Sequence, residues 1–455
     1  MNIREATYRL LNMRGVAHTT LNPYGPGVVR IHLVPPKFSL RETAPSVVVL
    51  NGQDILPINM SWAILLDAFI DQVNRYEGRE VTENEMKGIV RRTLKMVNKV
   101  YPHTNDTQMK DDLWRIVNTL TDIAYGKEPV EQIGYMTIGE YAPYMTAPHR
   151  IDLMISAMTH NGRWNCNQKC LHCYAAGQAQ SDVKELSTAD WKRVIDRCKK
   201  IGIPQITFTG GEPTMREDLP ELVAHAKWFV TRLNTNGVRL TTQLCEELYE
   251  ASLDSAQITL YSADEAEHNT LVGADNFRHT IEGIKNAIEA GLNISINTPL
   301  CKGNANYVET LKLLNTLGVK YVSCSGLIVT GNACQEKSKC TQLNEDELHS
   351  ILIDATKYCV EHHIEISFTS PGWVSADKLA PLKLAIPTCG AGLSNMAIAP
   401  NGGVVPCQSW LSEDALGNIL EQSWSSIWNS PRCQEIRDYA SSMKYACPLR
   451  KEGTK

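Results

Sequence analysis

From residue 151 onward, short apolar stretches alternate with helical patterns, and this alternation restricts the fold more than any other feature of the sequence. The predicted strands cover residues 151–156, 205–208, 232–234, 255–260, 294–297, 321–323 and 365–368. Strands that alternate with helices form parallel sheets, because each helix carries the chain back to the start of the next strand. The sequence therefore predicts an α/β fold, a partial (β/α)6 TIM-like barrel over residues 149–370, with its reactive groups at the carboxyl ends of the strands.

The first 126 residues follow a different pattern. An apolar stretch over residues 47–56 contains Asn51-Gly52, a pair that suits the tight turn of a β-hairpin. Three amphipathic helical patterns follow, over residues 61–74, 82–100 and 113–123. We therefore expect an α+β or winged-helix-like module over residues 1–126, and a linker containing Gly and Pro over residues 127–148.

The composition excludes several classes of protein. The 455 residues carry a net charge of −5 at pH 7, whereas nucleic-acid-binding proteins usually show a basic excess. Residues 1–11 lack the apolar core of an export signal, and no stretch has the roughly 18 consecutive apolar residues of a membrane span. We therefore expect a cytoplasmic protein with neither a nucleic-acid partner nor a membrane partner.

The fourteen cysteines are unevenly distributed along the chain. None precedes Cys166, three fall within eight positions, and four lie in the last 67 residues. A reducing cytoplasm disfavours disulfides, so such groups favour metal ligation or redox chemistry.

Cys166, Cys170 and Cys173 form a C-x3-C-x2-C motif just after the first predicted strand of the barrel. Three thiolates at this spacing can bind three irons of a cubane cluster and leave the fourth iron open for chemistry. The alternatives for the same residues are a zinc site with a distant fourth ligand, or three buried thiols.

A second loop, Gly210-Gly211-Glu212-Pro213, follows the second predicted strand. Glycine lets the backbone approach a ligand closely, and the Glu212 carboxylate could accept a hydrogen bond from an ammonium group. The alternatives are a tight turn for the glycines and a solvated charge for Glu212. Taken with the cysteine motif, this loop predicts a site for a small zwitterion beside an iron.

The two motifs together resemble those of the radical S-adenosylmethionine (radical SAM) superfamily. The resemblance implies that Cys166, Cys170 and Cys173 hold a [4Fe–4S] cluster whose open iron binds S-adenosylmethionine. One electron, supplied by an external donor such as flavodoxin or ferredoxin, then yields a 5′-deoxyadenosyl radical.

The same resemblance implies a set of residues around S-adenosylmethionine. They are His172, Tyr174, Gly210, Gly211, Glu212, Pro213, Asn236, Ser262 and Asn297. For Asn236 and Asn297, ordinary turn residues are the alternative. Many members of that superfamily have an arginine where this chain has Val272, so the contact at that position is left unassigned.

The carboxyl-terminal region, residues 385–455, resembles the SPASM or twitch extension, in which cysteines bind auxiliary iron–sulfur clusters. The similarity lies in Cys389, Cys407 and the segment Leu416-Gly417-Asn418-Ile419. A full SPASM domain continues with closely spaced cysteines that this chain lacks after Cys447. The resemblance therefore implies one auxiliary [4Fe–4S] cluster held by Cys389, Cys407 and Cys447. Its fourth ligand is Cys433, an internal cysteine or the substrate, and Cys433 could equally be a buried small side chain.

Residues 56–65 and the helices after them resemble the RiPP recognition element, a winged-helix domain that binds the leader peptides of ribosomally made natural products. In that family, the leader adds a strand to an exposed sheet edge. The resemblance implies a peptide maturase that abstracts hydrogen from a precursor peptide whose leader binds residues 1–126. The product would carry a thioether, a carbon–carbon link or another side-chain or backbone modification. An unrelated folding or oligomerisation domain is the alternative for residues 1–126.

Two other functions fit the same motifs. One is a radical SAM dehydrogenase that acts on a small molecule or on a serine or cysteine of a protein. The other is a non-catalytic iron–sulfur redox protein. Glu212 and its loop argue against the second, because an electron carrier does not need an ammonium-binding loop.

Overall fold

A computed structural model describes residues 3–21, 28–35, 45–76, 78–442 and 446–453. The chain divides into two compact units, Met1–Ala147 with Lys199–Pro204, and Pro148–Cys198 with Gln205–Lys455. Within the described ranges, no helix combines the length and the apolar character that crossing a membrane requires.

The first unit contains an antiparallel sheet in the order β1-β2-β3-β4. Its strands are β1 (Ala17–Leu21), β2 (Val29–Val34), β3 (Ser46–Leu50) and β4 (Asp54–Ile58). The predicted hairpin is confirmed as β3 and β4. Asn51 and Gly52 have φ values of 50° and 71°, the positive values that a tight hairpin turn of this kind requires.

Helices cover this sheet and supply most of the apolar core of the unit. They are α1 (Ile3–Leu11), α2 (Met60–Val73), α3 (Glu83–Val97), α4 (Asp106–Ala124) and α5 (Ile138–Tyr141). The three predicted helical patterns are confirmed as α2, α3 and α4. Thr82 and Glu85 form a capping box that satisfies amide groups at the start of α3. The strongly buried residues of α2, including Ile64, Leu66 and Ile70, pack in the same core as the sheet.

The second unit is built on an open sheet. Its strands are β5 (Arg150–Ser156), β6 (Thr159–His160), β7 (Arg163–Trp164), β8 (Gln205–Gly210), β9 (Val230–Thr235), β10 (Ser255–Thr259), β11 (Ile294–Pro299), β12 (Tyr321–Ser325), β13 (Glu365–Phe368), β14 (Asn395–Ile398), β15 (Gly403–Val405) and β16 (Gly417–Asn418). The strand order is β13-β12-β11-β10-β9-β8-β5-β14-β15-β16, and β6 and β7 form a separate hairpin.

All seven predicted strands of the partial barrel are confirmed, as β5 and β8 to β13. They pair in parallel, and the described sheet ends at β13 on one side and β16 on the other, so it does not close. The sheet is larger than the seven predicted strands, because β14 pairs in parallel with β5 and is followed in the sheet by β15 and β16. The carboxyl-terminal region therefore extends the same sheet.

Helices lie between the strands of the second unit, and two more follow its last strand. They are α6 (Thr188–Ile201), α7 (Leu219–His225), α8 (Thr242–Glu250), α9 (Glu265–Val272), α10 (Phe277–Glu289), α11 (Tyr307–Thr316), α12 (Glu336–Lys339), α13 (Glu345–Glu361), α14 (Ala376–Leu379), α15 (Trp424–Trp428) and α16 (Pro431–Ser441). Residues of β11 alternate between buried Ile294 and Ile296 and half-buried Ser295 and Asn297. At β11, one face of the sheet is thus apolar and covered, and the other is polar and partly open, whereas β8 is buried on both faces.

Candidate active site and metal centres

The three cysteines of the first motif lie in a loop of residues 166–174, here called the cluster loop, which follows β5 and the β6–β7 hairpin. Cys166 and Cys173 raise the pKa of the Cys170 thiol, and Cys173 raises that of Cys166, so the three thiols lie close together. Burial is the larger cause, and it raises the pKa of Cys166 to about 12. Backbone amides of Asn167 and Gln168 donate to the Cys166 sulfur, an arrangement that stabilises a thiolate once a metal replaces its proton.

The three thiols of the cluster loop are the type of ligand that a polynuclear iron–sulfur cluster uses. Among the residues that the structure describes, no three His, Cys, Asp or Glu side chains are placed to hold one metal ion. A tetrahedral zinc site needs its ligands around one point, whereas each thiolate of a cubane binds a different iron. The cluster loop could therefore hold a [4Fe–4S] cluster through three residues.

Glu212 lies at the end of β8 and is only 1% exposed, so it is not the solvated charge of the alternative interpretation. One carboxylate oxygen accepts hydrogen bonds from the Thr214 amide (3.0 Å) and from the hydroxyls of Thr214 and Thr235 (2.6 Å each). The other oxygen accepts from the Asn236 amide at 2.8 Å. Burial raises the pKa of Glu212, and these four bonds oppose that shift. The second oxygen keeps the capacity to accept from an ammonium group.

The glycines before Glu212 are required by close packing of two strands. Gly210 has a φ of 142°, and a Cβ there would collide with the carbonyl oxygen of Ser156 on β5. The Gly211 amide donates to the same carbonyl oxygen at 2.7 Å. Pro213 is buried and begins a short 3₁₀ turn that Glu212 caps. Among the described residues, the backbone of β5 is therefore what requires glycine at position 210.

Asn236, directly after β9, links that strand to the cluster loop. Its side-chain amide donates to Asn167 Oδ1 at 2.6 Å, and its backbone amide contacts Glu212. Sequence patterns gave no signal for Asn167, because neither its residue type nor its spacing distinguishes it from the other residues between two cysteines. The three residues form one hydrogen-bonded group at the carboxyl edge of the sheet.

Ser262 and Asn297 lie at strand ends but are not bonded to that group. The Ser262 hydroxyl donates to Glu267 at 2.7 Å and accepts from the Asp264 amide, which is a local bond at the start of α9. Asn297 accepts from Ser323 at 3.0 Å on the half-open face of the sheet. Their roles toward a cofactor stay predictions.

The side chains of His172 and Tyr174 lie in different environments. His172 is 6% exposed, and burial lowers its pKa to about 4. Tyr174 directs its hydroxyl toward Gln408, which lies 3.5 Å away and directly follows Cys407. Tyr174 thus connects the cluster loop with the carboxyl-terminal cysteines.

The end of α9 supports the cluster loop from one side. The amides of Lys169 and Leu171 each donate at 2.9 Å, to the carbonyl oxygens of Val272 and Leu271. A side chain at Gly273 would meet the Lys169 carbonyl oxygen at 2.5 Å. Val272 therefore contributes to this support through its backbone carbonyl group.

Cys389, Cys407 and Cys447 come together in the carboxyl-terminal region. Their thiols influence one another's pKa, and burial, the larger cause, raises the pKa of Cys407 to about 11. All three flank one apolar cluster that contains Trp410 and Ile436. These residues could hold an auxiliary iron–sulfur cluster.

Cys433 lies elsewhere in the same region. It is fully buried in the first turn of α16, where Arg437 donates to its sulfur at 3.5 Å. Arg437 and burial are the influences on its thiol, and the other carboxyl-terminal cysteines are not among them. The described geometry thus does not support Cys433 as the fourth ligand of the auxiliary cluster.

Two family models match the chain at these sites. The radical SAM superfamily model matches residues 165–314, and the model of the SPASM iron-sulfur cluster-binding domain matches residues 389–449. The chain contains a radical SAM domain and a SPASM domain. As a radical SAM enzyme it binds a [4Fe–4S] cluster and S-adenosylmethionine in the first domain, and iron–sulfur in the SPASM domain.

Curated relatives of this radical SAM enzyme match it over 62% of its length. AdoMet-dependent heme synthase of Oleidesulfovibrio alaskensis is 27% identical over 297 residues, which cover 62% of this chain and 76% of the relative. PqqA peptide cyclase of Xanthomonas euvesicatoria pv. vesicatoria is 25% identical over 291 residues, which cover 62% of this chain and 75% of the relative.

Among solved structures, SuiB of Streptococcus suis bound to its precursor peptide SuiA has a TM-score of 0.60 to this radical SAM enzyme. The match is 14% identical in sequence and covers 90% of this chain and 94% of SuiB. At this identity the likeness concerns the fold. Its coverage extends into both units of the chain.

Proposed function

We propose that this radical SAM enzyme modifies a ribosomally made precursor peptide. The observation that carries the proposal is the first unit, a four-stranded sheet with helices, in a chain whose fold resembles SuiB over 90% of its length. SuiB was crystallised with its precursor peptide, and another relative is a peptide cyclase.

We assign the cluster that binds S-adenosylmethionine to Cys166, Cys170 and Cys173. Together, the cluster and S-adenosylmethionine supply a 5′-deoxyadenosyl radical that abstracts hydrogen, after one electron arrives from a donor such as flavodoxin or ferredoxin. Glu212 accepts from the ammonium group of the cofactor and, through Asn236 and Asn167, is tied to the cluster loop. The carboxylate is thereby kept at a fixed position relative to the three thiols.

We assign an auxiliary cluster to Cys389, Cys407 and Cys447. A second cluster near the first suits a net-oxidative reaction, because a product radical that closes a new bond must release one electron. This favours a cross-link over a redox-neutral change. All fourteen cysteines are free thiols, which is consistent with a reducing compartment, and we propose the cytoplasm.

The first unit offers a sheet edge at β4 for the leader. The Met136 amide donates to the Ile55 carbonyl oxygen on β4 at 3.0 Å, and Pro57 has no amide proton to offer. An added strand at this edge would therefore have to replace the bond from Met136.

The test uses the reconstituted protein with S-adenosylmethionine, a reductant and synthetic peptides encoded by short reading frames beside its gene. We expect one peptide to lose two hydrogen atoms, as detected by mass spectrometry. Deletion of residues 1–126 is expected to leave 5′-deoxyadenosine release intact and to impair peptide modification. Loss of both activities in the truncated protein would contradict the separate roles of the two units.

A small-molecule substrate is the second candidate, and the likeness to AdoMet-dependent heme synthase favours it. This alternative predicts that no neighbouring peptide changes mass. It also predicts that the truncated protein turns over its substrate at the rate of the full chain, because the first unit would then take no part in substrate binding.

A further inference from the structure

The segment of residues 330–341, between β12 and α13, contacts every residue from 170 to 174 of the cluster loop. The five hydrogen bonds are Thr330 Oγ1 to Tyr174 O (3.3 Å), Asn332 N to Cys173 O (2.9 Å), Asn332 Nδ2 to Cys170 O (3.1 Å), Ser338 Oγ to Leu171 O (2.9 Å) and His172 Nε2 to Thr341 Oγ1 (2.7 Å). We call residues 330–341 the clamp segment.

At Gly331, the backbone of the clamp segment lies directly against the backbone of the cluster loop. Gly331 has a φ of 56°, and a Cβ at this position would lie 2.5 Å from the carbonyl oxygens of both Cys173 and Tyr174. Only glycine fits this conformation and this spacing. The close approach of the two backbones therefore requires glycine at position 331 of the clamp segment.

Thr341 also determines how the His172 ring is held. Its hydroxyl has one proton, which it donates to the Ser338 carbonyl oxygen at 2.7 Å. The contact with His172 must then be a bond from Nε2–H of the ring to the Thr341 oxygen. One orientation and one tautomer of a buried imidazole are thereby fixed.

We propose that the clamp segment sets the position of the cluster loop, and that Asn332 and Thr341 are its positioning residues. This inference rests on the proposed placement of the [4Fe–4S] cluster at Cys166, Cys170 and Cys173 and of S-adenosylmethionine beside it. The end of α9 binds amide groups of the same loop, whereas the clamp segment binds its carbonyl groups and the His172 ring. The two supports meet at the peptide plane between Cys170 and Leu171, where the end of α9 accepts from the amide and the clamp segment donates to the carbonyl, so this part of the loop is held from both sides.

The test compares Thr341→Val with Thr341→Ser. Valine has nearly the shape of threonine but cannot accept the His172 bond, so a buried N–H loses its partner. We expect the affinity of the reduced, reconstituted protein for S-adenosylmethionine to fall about tenfold. Serine keeps the hydroxyl and is expected to restore the affinity. The readout is the change in the cluster's electron paramagnetic resonance spectrum as S-adenosylmethionine is added.

Two further variants separate positioning from folding. Lys337→Ala removes an exposed side chain of the same segment and should leave the spectrum and the affinity unchanged. Asn332→Ala should alter the signal of the first cluster while the auxiliary signal and the melting temperature of the metal-free protein stay as in the unmodified chain. No peptide is needed, so the outcome is independent of which substrate the enzyme takes.

Unchanged affinity in Thr341→Val would overturn the proposal. So would equal weakening in Thr341→Val and Thr341→Ser, because the effect would then follow the methyl group and not the hydrogen bond. If Asn332→Ala fails to fold, the comparison of Thr341→Val with Thr341→Ser still tests the proposal.

Discussion

Glu212 is a buried carboxylate whose two oxygens accept hydrogen bonds from Thr214, Thr235 and Asn236. Glu212→Gln keeps the shape but removes the charge that an ammonium group needs. We expect the affinity for S-adenosylmethionine to fall roughly 10- to 100-fold, because charge-assisted hydrogen bonds contribute more than neutral ones. Equilibrium binding to the reconstituted protein measures this loss.

Glu217→Gln is the matched control, since Glu217 lies on the same loop with an exposed side chain. It should bind S-adenosylmethionine as the unmodified chain does, and iron content should be equal in both variants. Full affinity in Glu212→Gln would contradict the role that we assign to this carboxylate.

The residues of the two motifs could be predicted from the sequence, but the residues that form hydrogen bonds with them could not. Spacing alone pointed to Cys166, Cys170 and Cys173 and to Glu212, because each set is contiguous or nearly so along the chain. The partners of these residues come from distant segments, as with Thr341, which lies 169 positions from His172. No local pattern reports such a contact.

At the scale of elements, the junction of β5 and β8 fixes the position of the Glu212 loop. Gly210→Ala places a Cβ against the Ser156 backbone and forces an alanine into a positive φ. We expect a loss of about 3 kcal/mol in the free energy of unfolding. Urea unfolding of the metal-free protein measures this change.

Gly134→Ala serves as the control for that substitution, because a Cβ at Gly134 meets nothing within 4 Å. Its unfolding midpoint should match that of the unmodified chain. Equal midpoints for Gly210→Ala and Gly134→Ala would show that the strand junction tolerates a side chain, against our interpretation.

Elements with strong periodicity were predicted well, and weakly patterned elements were missed. The seven predicted strands of the second unit and helix α3 are examples of the first kind. Strand β1 has a single buried residue, Thr19, and helix α1 exposes Ile3, Leu10 and Leu11, so neither carries a clear apolar pattern. Tertiary contacts, which periodicity does not encode, stabilise them.

Across the whole molecule, the least predictable feature is the pairing of β14 with β5. This pairing joins residues 395–398 to residues 150–153, and nothing in the local sequence indicates it. Its consequence is functional, because it carries Cys407 and Gln408 toward Tyr174 of the cluster loop. The two sets of cysteines are thereby part of one sheet-based unit.

The central claim is that the thiols of the cluster loop hold a cubane with one iron open to S-adenosylmethionine. The most direct measurement is release of 5′-deoxyadenosine by the anaerobically reconstituted protein with a reductant and S-adenosylmethionine. We predict release by the unmodified chain and by Cys340→Ala, whose thiol is exposed and outside both cysteine sets. Cys170→Ala should release none and keep its auxiliary iron. Release by Cys170→Ala, or none from a fully iron-loaded unmodified chain, would contradict the account.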